Sequence, residues 1–170
     1  MPDSEAHIWK TAGAAMPIFI LVSTVLTAAI GGWGSSQAPS FYSALSQPEW
    51  APPAWLFGPV WTFLYSLMAL TALLIWRRIK QLSHRVIRLY FASLLFNGLW
   101  SFLFFSWQWG GLALLDIALL FILILVLIRE TFIISPSISL LWVPYALWVG
   151  FAGVLNLTLW RMNPELLNFF

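Results

Sequence analysis

Hydrophobic residues run through this chain in five long blocks, at 12–32, 56–76, 86–105, 112–128 and 140–160, separated by short polar or aromatic breaks. Each block is close to the roughly 20 residues, within about 17 to 25, that carry a helix across a bilayer. Strict alternation of apolar and polar positions, the mark of a membrane β-barrel, is missing. The pattern therefore predicts an all-α integral membrane bundle of five transmembrane helices, with residues 1–170 forming one domain. The first block is longer than the ~7 to 15 apolar residues of a signal peptide. Asp3 and Glu5 also stand where such a peptide is basic, and no small-residue cleavage site follows, so it reads as a retained helix.

The other connections between the blocks are short, whereas the segment 33–55 is long and unusual. Trp33, Phe41, Tyr42, Trp50 and Trp55 are interleaved there with Pro39, Pro48, Pro52 and Pro53. Proline restricts itself and the residue before it to extended and turn conformations, and a flexible tether would be richer in Gly and Ser. The segment is expected to be a folded lid rather than a linker.

Composition strengthens the membrane reading. The chain is 61% hydrophobic and 8% charged, against roughly 25% charged residues in soluble domains. A net charge of +2 rests on eight basic residues. Lys10, Arg77, Arg78, Lys80, Arg85, Arg88 and Arg129 fall on one side of the five-helix arrangement, and Arg161 on the other. By the positive-inside rule the N-terminus is cytoplasmic and the C-terminus outside. The charge reads as topology, and no nucleic-acid partner is expected; membrane lipids are the expected surroundings.

Candidate chemistry is sparse. With no cysteine, thiolate metal sites, disulfides and Cys nucleophiles are excluded. His7 and His84 lie outside the spans, so axial haem ligation within the membrane is not expected. No paired carboxylates or zinc-ligand constellation is present, and Ser23, Ser66, Ser93 and Ser101 lack a base. No metal site and no catalytic residue is assigned, and no cofactor is required. Asp116 is the acidic residue deep in a span; such a carboxylate is a functional-site candidate, or a structural group bonded to a neighbouring indole or backbone.

Helical phase places residues three, four and seven apart on one face. Trp61, Tyr65 and Met68 share a face of the second helix, Asn97, Trp100 and Phe104 of the third, and Tyr145, Trp148, Ala152 and Asn156 of the fifth. Each stripe joins large rings to an isolated amide or phenol. Plain packing with interhelical amides is one reading; three such stripes beneath an aromatic lid favour a pocket for a flat apolar ligand, with rings to stack and polar groups to orient it. Ala28 with Gly32, and Ala146 with Gly150, have the spacing that permits close helix approach. Pro17 and Pro144 are candidates to bend their helices.

The segments FYSALSQPEWAPPAWLFGPVWTFLYSLM, LFNGLWSFLFF, LALLD and LLWVPYALWVGFAGVLNLTLW, in that order, closely resemble the TspO/MBR family, the tryptophan-rich sensory proteins also called translocator proteins or peripheral-type benzodiazepine receptors. The resemblance covers most of the chain, from the first helix to Asn163. It implies a membrane receptor that binds porphyrins and related tetrapyrroles, with cholesterol and synthetic drugs as ligands of mitochondrial members, and a homodimer as in many bacterial members. By motif it assigns ligand contacts to Tyr42, whose preceding Trp is here Phe41, and to Trp61, Asn97, Trp100, Trp148 and Ala152, with Asp116 matching the acid of A-L-x-D. Together with the stripes and the lid, the expected ligand-binding set is Tyr42, Trp50, Trp61, Tyr65, Asn97, Trp100, Phe104, Asp116, Tyr145, Trp148 and Ala152. The family's sterol pattern has a Tyr where this chain has Leu157, which removes the support for cholesterol. Sensing or handling of haem-pathway intermediates is the expected function. Light-dependent porphyrin breakdown and transport of tetrapyrroles or sterol-like lipids are the alternatives. A bacterial cell (inner) membrane is the expected location, and the resemblance also allows an outer membrane.

Overall fold

The computed structural model describes residues 3–36, 38–81 and 84–168, with side chains from residue 15 onward. The helices are α1 (Asp3–Gly34), α2 (Ala38–Ala44), α3 (Phe57–Ile79), α4 (Arg85–Ser101), α5 (Gly110–Ile134), α6 (Pro136–Ser139) and α7 (Val143–Met162). Among the described residues, five helical segments are long and apolar enough to cross a membrane: Ala15–Gly34, Ala54–Ile79, Arg85–Ser106, Gly110–Ile134 and Pro136–Met162. They correspond one to one with the five hydrophobic blocks.

The burial pattern is that of a membrane protein. Along α1, Ile18, Phe19, Val22, Val25, Leu26 and Ile30 are all exposed, as are Leu115, Leu119, Ile122 and Leu125 along α5. A continuous apolar belt of this kind is tolerated where the solvent is lipid and not where it is water. The interior is held by large fully buried side chains, among them Trp142, Tyr90, Tyr145 and Phe104.

Neighbour relations close the bundle into a ring. α1 packs against α3 and α4, α4 against α5, α5 against α7, and the turn that leads into α7 returns to α3. Polar pairs pin these seams. The Tyr90 hydroxyl bonds Thr24, which donates in turn to the Ile20 carbonyl at 2.6 Å. The Trp142 indole N–H donates to Thr131 Oγ1 at 3.1 Å.

Helix ends follow local chemistry more than hydropathy. α3 ends where Lys80 turns left-handed (φ 47°) and its N–H bonds the Trp76 carbonyl. His84 caps α4, its Nδ1 accepting the Val86 N–H at 3.3 Å. α5 runs six residues past the predicted end at 128, to Ile134: Arg129 and Glu130 pair at 2.9 Å, and Arg85 reaches the same carboxylate at 3.3 Å. Charges that neutralise one another at a helix end need not terminate it. Pro144 lies in the first turn of α7, where a missing N–H costs no hydrogen bond; Pro17 is inside α1. Arg77, Arg78, Lys80, Arg85, Arg88 and Arg129 cluster at the end of the bundle opposite the lid.

Candidate ligand cavity beneath the lid

The segment between α1 and α3 is folded. α2 occupies its first half, and Tyr42 is buried with its hydroxyl donating to the Pro52 carbonyl at 2.9 Å. The Gln47 amide donates to the Tyr42 carbonyl. Turns close at Pro48 and Pro53, whose carbonyls accept the N–H groups of Ala51 and Leu56 at 2.9 and 3.0 Å. Burial pushes the Tyr42 phenol above its usual pKa, so it stays neutral and remains a donor. Rings fasten the lid to the bundle: Tyr42 lies edge-on to Phe57 at 5.2 Å, Phe41 to Phe104 at 6.2 Å, and Trp50 to Phe151 at 5.9 Å.

Under this lid is a cavity of about 710 Å³. Its roof is Ala38, Pro39 and Tyr42, with Ala54 and Trp55 at the rim. One wall comes from α3 (Trp61, Tyr65, Ala69), one from α4 (Trp100, Ser101, Phe105) and one from α1 (Thr24, Ala28, Gly31). None of the lining residues is acidic, basic or His. Leu21 and Val25, which also line it, face out of the bundle as well.

The expected site residues divide into two groups. Tyr42, Trp61, Tyr65 and Trp100 line the cavity; Trp50, Asn97, Phe104, Asp116, Tyr145, Trp148 and Ala152 do not. Trp50 is half-exposed against Phe151. Trp148 stands one ring back, 6.0 Å from Phe57. Asn97 donates to the Tyr145 hydroxyl at 2.5 Å, and Asn156 accepts from the Trp100 indole at 3.1 Å while donating to the Gly110 carbonyl at 3.1 Å. These bonds meet part of the hydrogen-bonding capacity of the buried amides. Among the described residues, Asn97 Oδ1, both Asp116 carboxylate oxygens and Trp148 Nε1 are buried without a hydrogen-bond partner.

Phe104 differs from the helical-phase expectation for a geometric reason. Residues Phe102–Ser106 form a π-helical turn, in which the Trp107 N–H bonds the Phe102 carbonyl. The wider turn brings residues five apart, not four, onto one face. Phe105 therefore joins Trp100 at the cavity, while Phe104 is buried and stacked on Trp100 at 5.2 Å and 10°.

The α1 wall was not anticipated. Its signal was present in Ala28 and Gly32, a small pair at the spacing of close helix approach; both line the cavity. The second small pair does pack within the bundle, since a Cβ on Gly150 would lie 3.2 Å from Phe121.

Comparison with known proteins agrees with this architecture. Residues 19–161 match the model of the TspO/MBR family. The tryptophan-rich protein TspO of Chlorobaculum tepidum is 37% identical over 147 residues, covering 82% of this chain and 92% of that one. The same-named protein of Archaeoglobus fulgidus is 36% identical (87% and 99% covered), and the translocator protein of Bos taurus 31% (88% and 93%). Five membrane-spanning helices, a structured aromatic lid and a match across most of its length together show that this chain is an integral membrane protein belonging to the TspO/MBR family.

Proposed function

We propose that the protein is a membrane receptor for porphyrins and related tetrapyrroles, held flat in the cavity beneath the lid. The observation that carries this reading is the cavity itself. Its volume of about 710 Å³ falls within the ~300 to 1,000 Å³ of small-molecule sites. Its walls carry Trp61, Tyr65, Trp100, Phe57 and Phe105, rings that stack on a flat apolar ligand. Ser35, Thr62, Ser101 and the phenol of Tyr65 supply neutral polar contacts. The unpartnered Asp116, Asn97 Oδ1 and Trp148 Nε1 lie outside this lining.

With no acidic, basic or His residue in the lining, this reading has the carboxylate substituents of the porphyrin directed toward the open rim, since their burial against the walls without a partner is costly. Titration of protoporphyrin IX against tryptophan fluorescence tests the reading. Saturable quenching is expected, weakened at least tenfold by Trp61→Ala with Tyr65→Phe, and the porphyrin dimethyl ester should bind about as well as the free acid. Quenching that does not saturate, or an affinity indifferent to the double substitution, rejects it.

A second reading, light-driven porphyrin breakdown, draws on one feature: Trp61 and Tyr65, oxidisable rings 5.6 Å apart, both face the cavity. A new absorbing product that forms only on illumination of the complex distinguishes it from passive binding.

A further inference from the structure

Beyond α7 the chain turns back on itself at Asn163. This residue's N–H bonds the Leu159 carbonyl at 3.0 Å, and its own carbonyl accepts the N–H groups of Leu166 and Leu167 at 3.1 and 3.0 Å. Leu167 is fully buried, against the face of Gly110, where a Cβ would lie 3.0 Å from its own. The turn is thus fixed on both sides, and the Asn163 side chain leaves it in a defined direction.

That side chain reaches the lid, 117 residues away in sequence. Its Oδ1 accepts the Ser46 N–H at 2.8 Å and its Nδ2 donates to the Ser46 carbonyl at 2.9 Å, with a further bond from Nδ2 to the Leu159 carbonyl at 2.8 Å. An amide that pairs with both the donor and the acceptor of one residue copies a rung of a β-ladder. It holds main chain, so the contact does not depend on the side chain at position 46. Tyr42 and Gln47 bond within the lid, which keeps its shape; Asn163 ties it to the bundle.

We propose that Asn163 is a positioning residue for the cavity: an amide latch that holds the lid shut from the C-terminal turn and sets the rate of passage between the cavity and the aqueous phase. It touches no ligand and acts through Ser46, which precedes the Pro48 and Pro53 turns and follows Tyr42 by four residues. The inference rests on the cavity being a ligand site, but the latch can be read without any ligand.

The natural chain has no cysteine, so a single thiol reports cleanly. Ser101→Cys places one in the cavity wall and Ala113→Cys places one in the closed core. The full chain in bilayer discs, with lipid against the α1 and α3 side, is labelled with a charged maleimide that cannot cross lipid. Asn163→Ala should speed labelling at position 101 roughly tenfold or more, the factor expected for losing two hydrogen bonds. Ser46→Pro, which removes the N–H donor, should open the lid likewise, and Ser46→Ala should match the parent. Position 113 should stay protected throughout. Unchanged labelling in Asn163→Ala, an equal effect of Ser46→Ala, or equal acceleration at position 113 each overturns the latch. Saturable porphyrin quenching in the parent protein is judged separately, so failure of the latch leaves the ligand reading standing, and the reverse.

Discussion

The α5–α7 seam and the α1–α3 side of the bundle use small residues in opposite ways. A Cβ on Gly110 would fall 2.6 Å from Trp160, and one on Gly150 would fall 3.2 Å from Phe121, so each gap on that seam is filled by a ring from the facing element. On the other side a Cβ on Gly32 would meet nothing within 4 Å, and Ala28 and Gly32 line the cavity. A Cβ on Gly31 or Gly34 beside them would meet Ser101 Oγ or the Phe102 ring, at 3.3 and 3.1 Å, so the open stretch is confined to Ala28 and Gly32. The polar groups differ in the same sense. Asn156 is bonded on both sides, to Trp100 and Gly110, whereas Ser101 lines the cavity. A small residue in a membrane helix is therefore not itself a packing signal; what faces it decides whether it brings helices together or leaves room for a ligand.

The largest effect should come from closing the tight seam further. Gly110→Ala is expected to destabilise by about 1 to 3 kcal/mol, the usual cost of overpacking, read as thermal unfolding in detergent. The matched Gly32→Ala should stay within about 0.5 kcal/mol of the parent, as for sites without close contacts. Equal losses would erase the contrast. Asn156→Leu should cost about 1 to 3 kcal/mol, chiefly by leaving the buried Trp100 indole N–H without a partner, and the Trp100 emission spectrum should shift with it.

Ala28→Phe sharpens the comparison from the open side. It should weaken porphyrin binding at least tenfold, equivalent to about 1.4 kcal/mol, with no loss of thermal stability. A drop in both would mean that the α1 wall is already packed. The smallest effect is expected in the lid. Tyr42→Phe deletes the bond to the Pro52 carbonyl and should cost about 1 kcal/mol. Because burial raises the Tyr42 pKa, its contribution is fully present below the unfolded value near 10 and declines as pH rises beyond it. The parent's lid should therefore loosen in that range more than that of Tyr42→Phe, as read by labelling of Ser101→Cys.

The membrane spans were legible because lipid selects for uninterrupted apolar length, a property visible in one dimension. The ends were less so: hydropathy stops α5 at Arg129 and Glu130, but their mutual pairing carries the helix on. Two of the three ring stripes led to the cavity. Trp61, Tyr65 and Trp100 line it, while the α7 stripe of Tyr145, Trp148 and Asn156 runs through the interior, because which face of a helix meets the cavity depends on where its neighbours sit. The α1 wall carries no ring and no charge, so nothing in it stood out. Asn163 was hidden for another reason: its partner is main chain, which has no residue type to recognise.

The π-helical turn at Phe102–Ser106 gives α4 a property that the other spans lack. A π turn arises when one residue is accommodated in excess of the α-helical count, so α4 carries a spare position directly beside its cavity rings. Reverting that turn to α-helix would rotate the chain beyond it by about 100°, one residue's share of a 3.6-residue turn. Phe105 would leave the cavity and Phe104 would take its place. Which of the two rings meets the cavity is therefore set by the helical form of this one turn, with every ring in the sequence left intact.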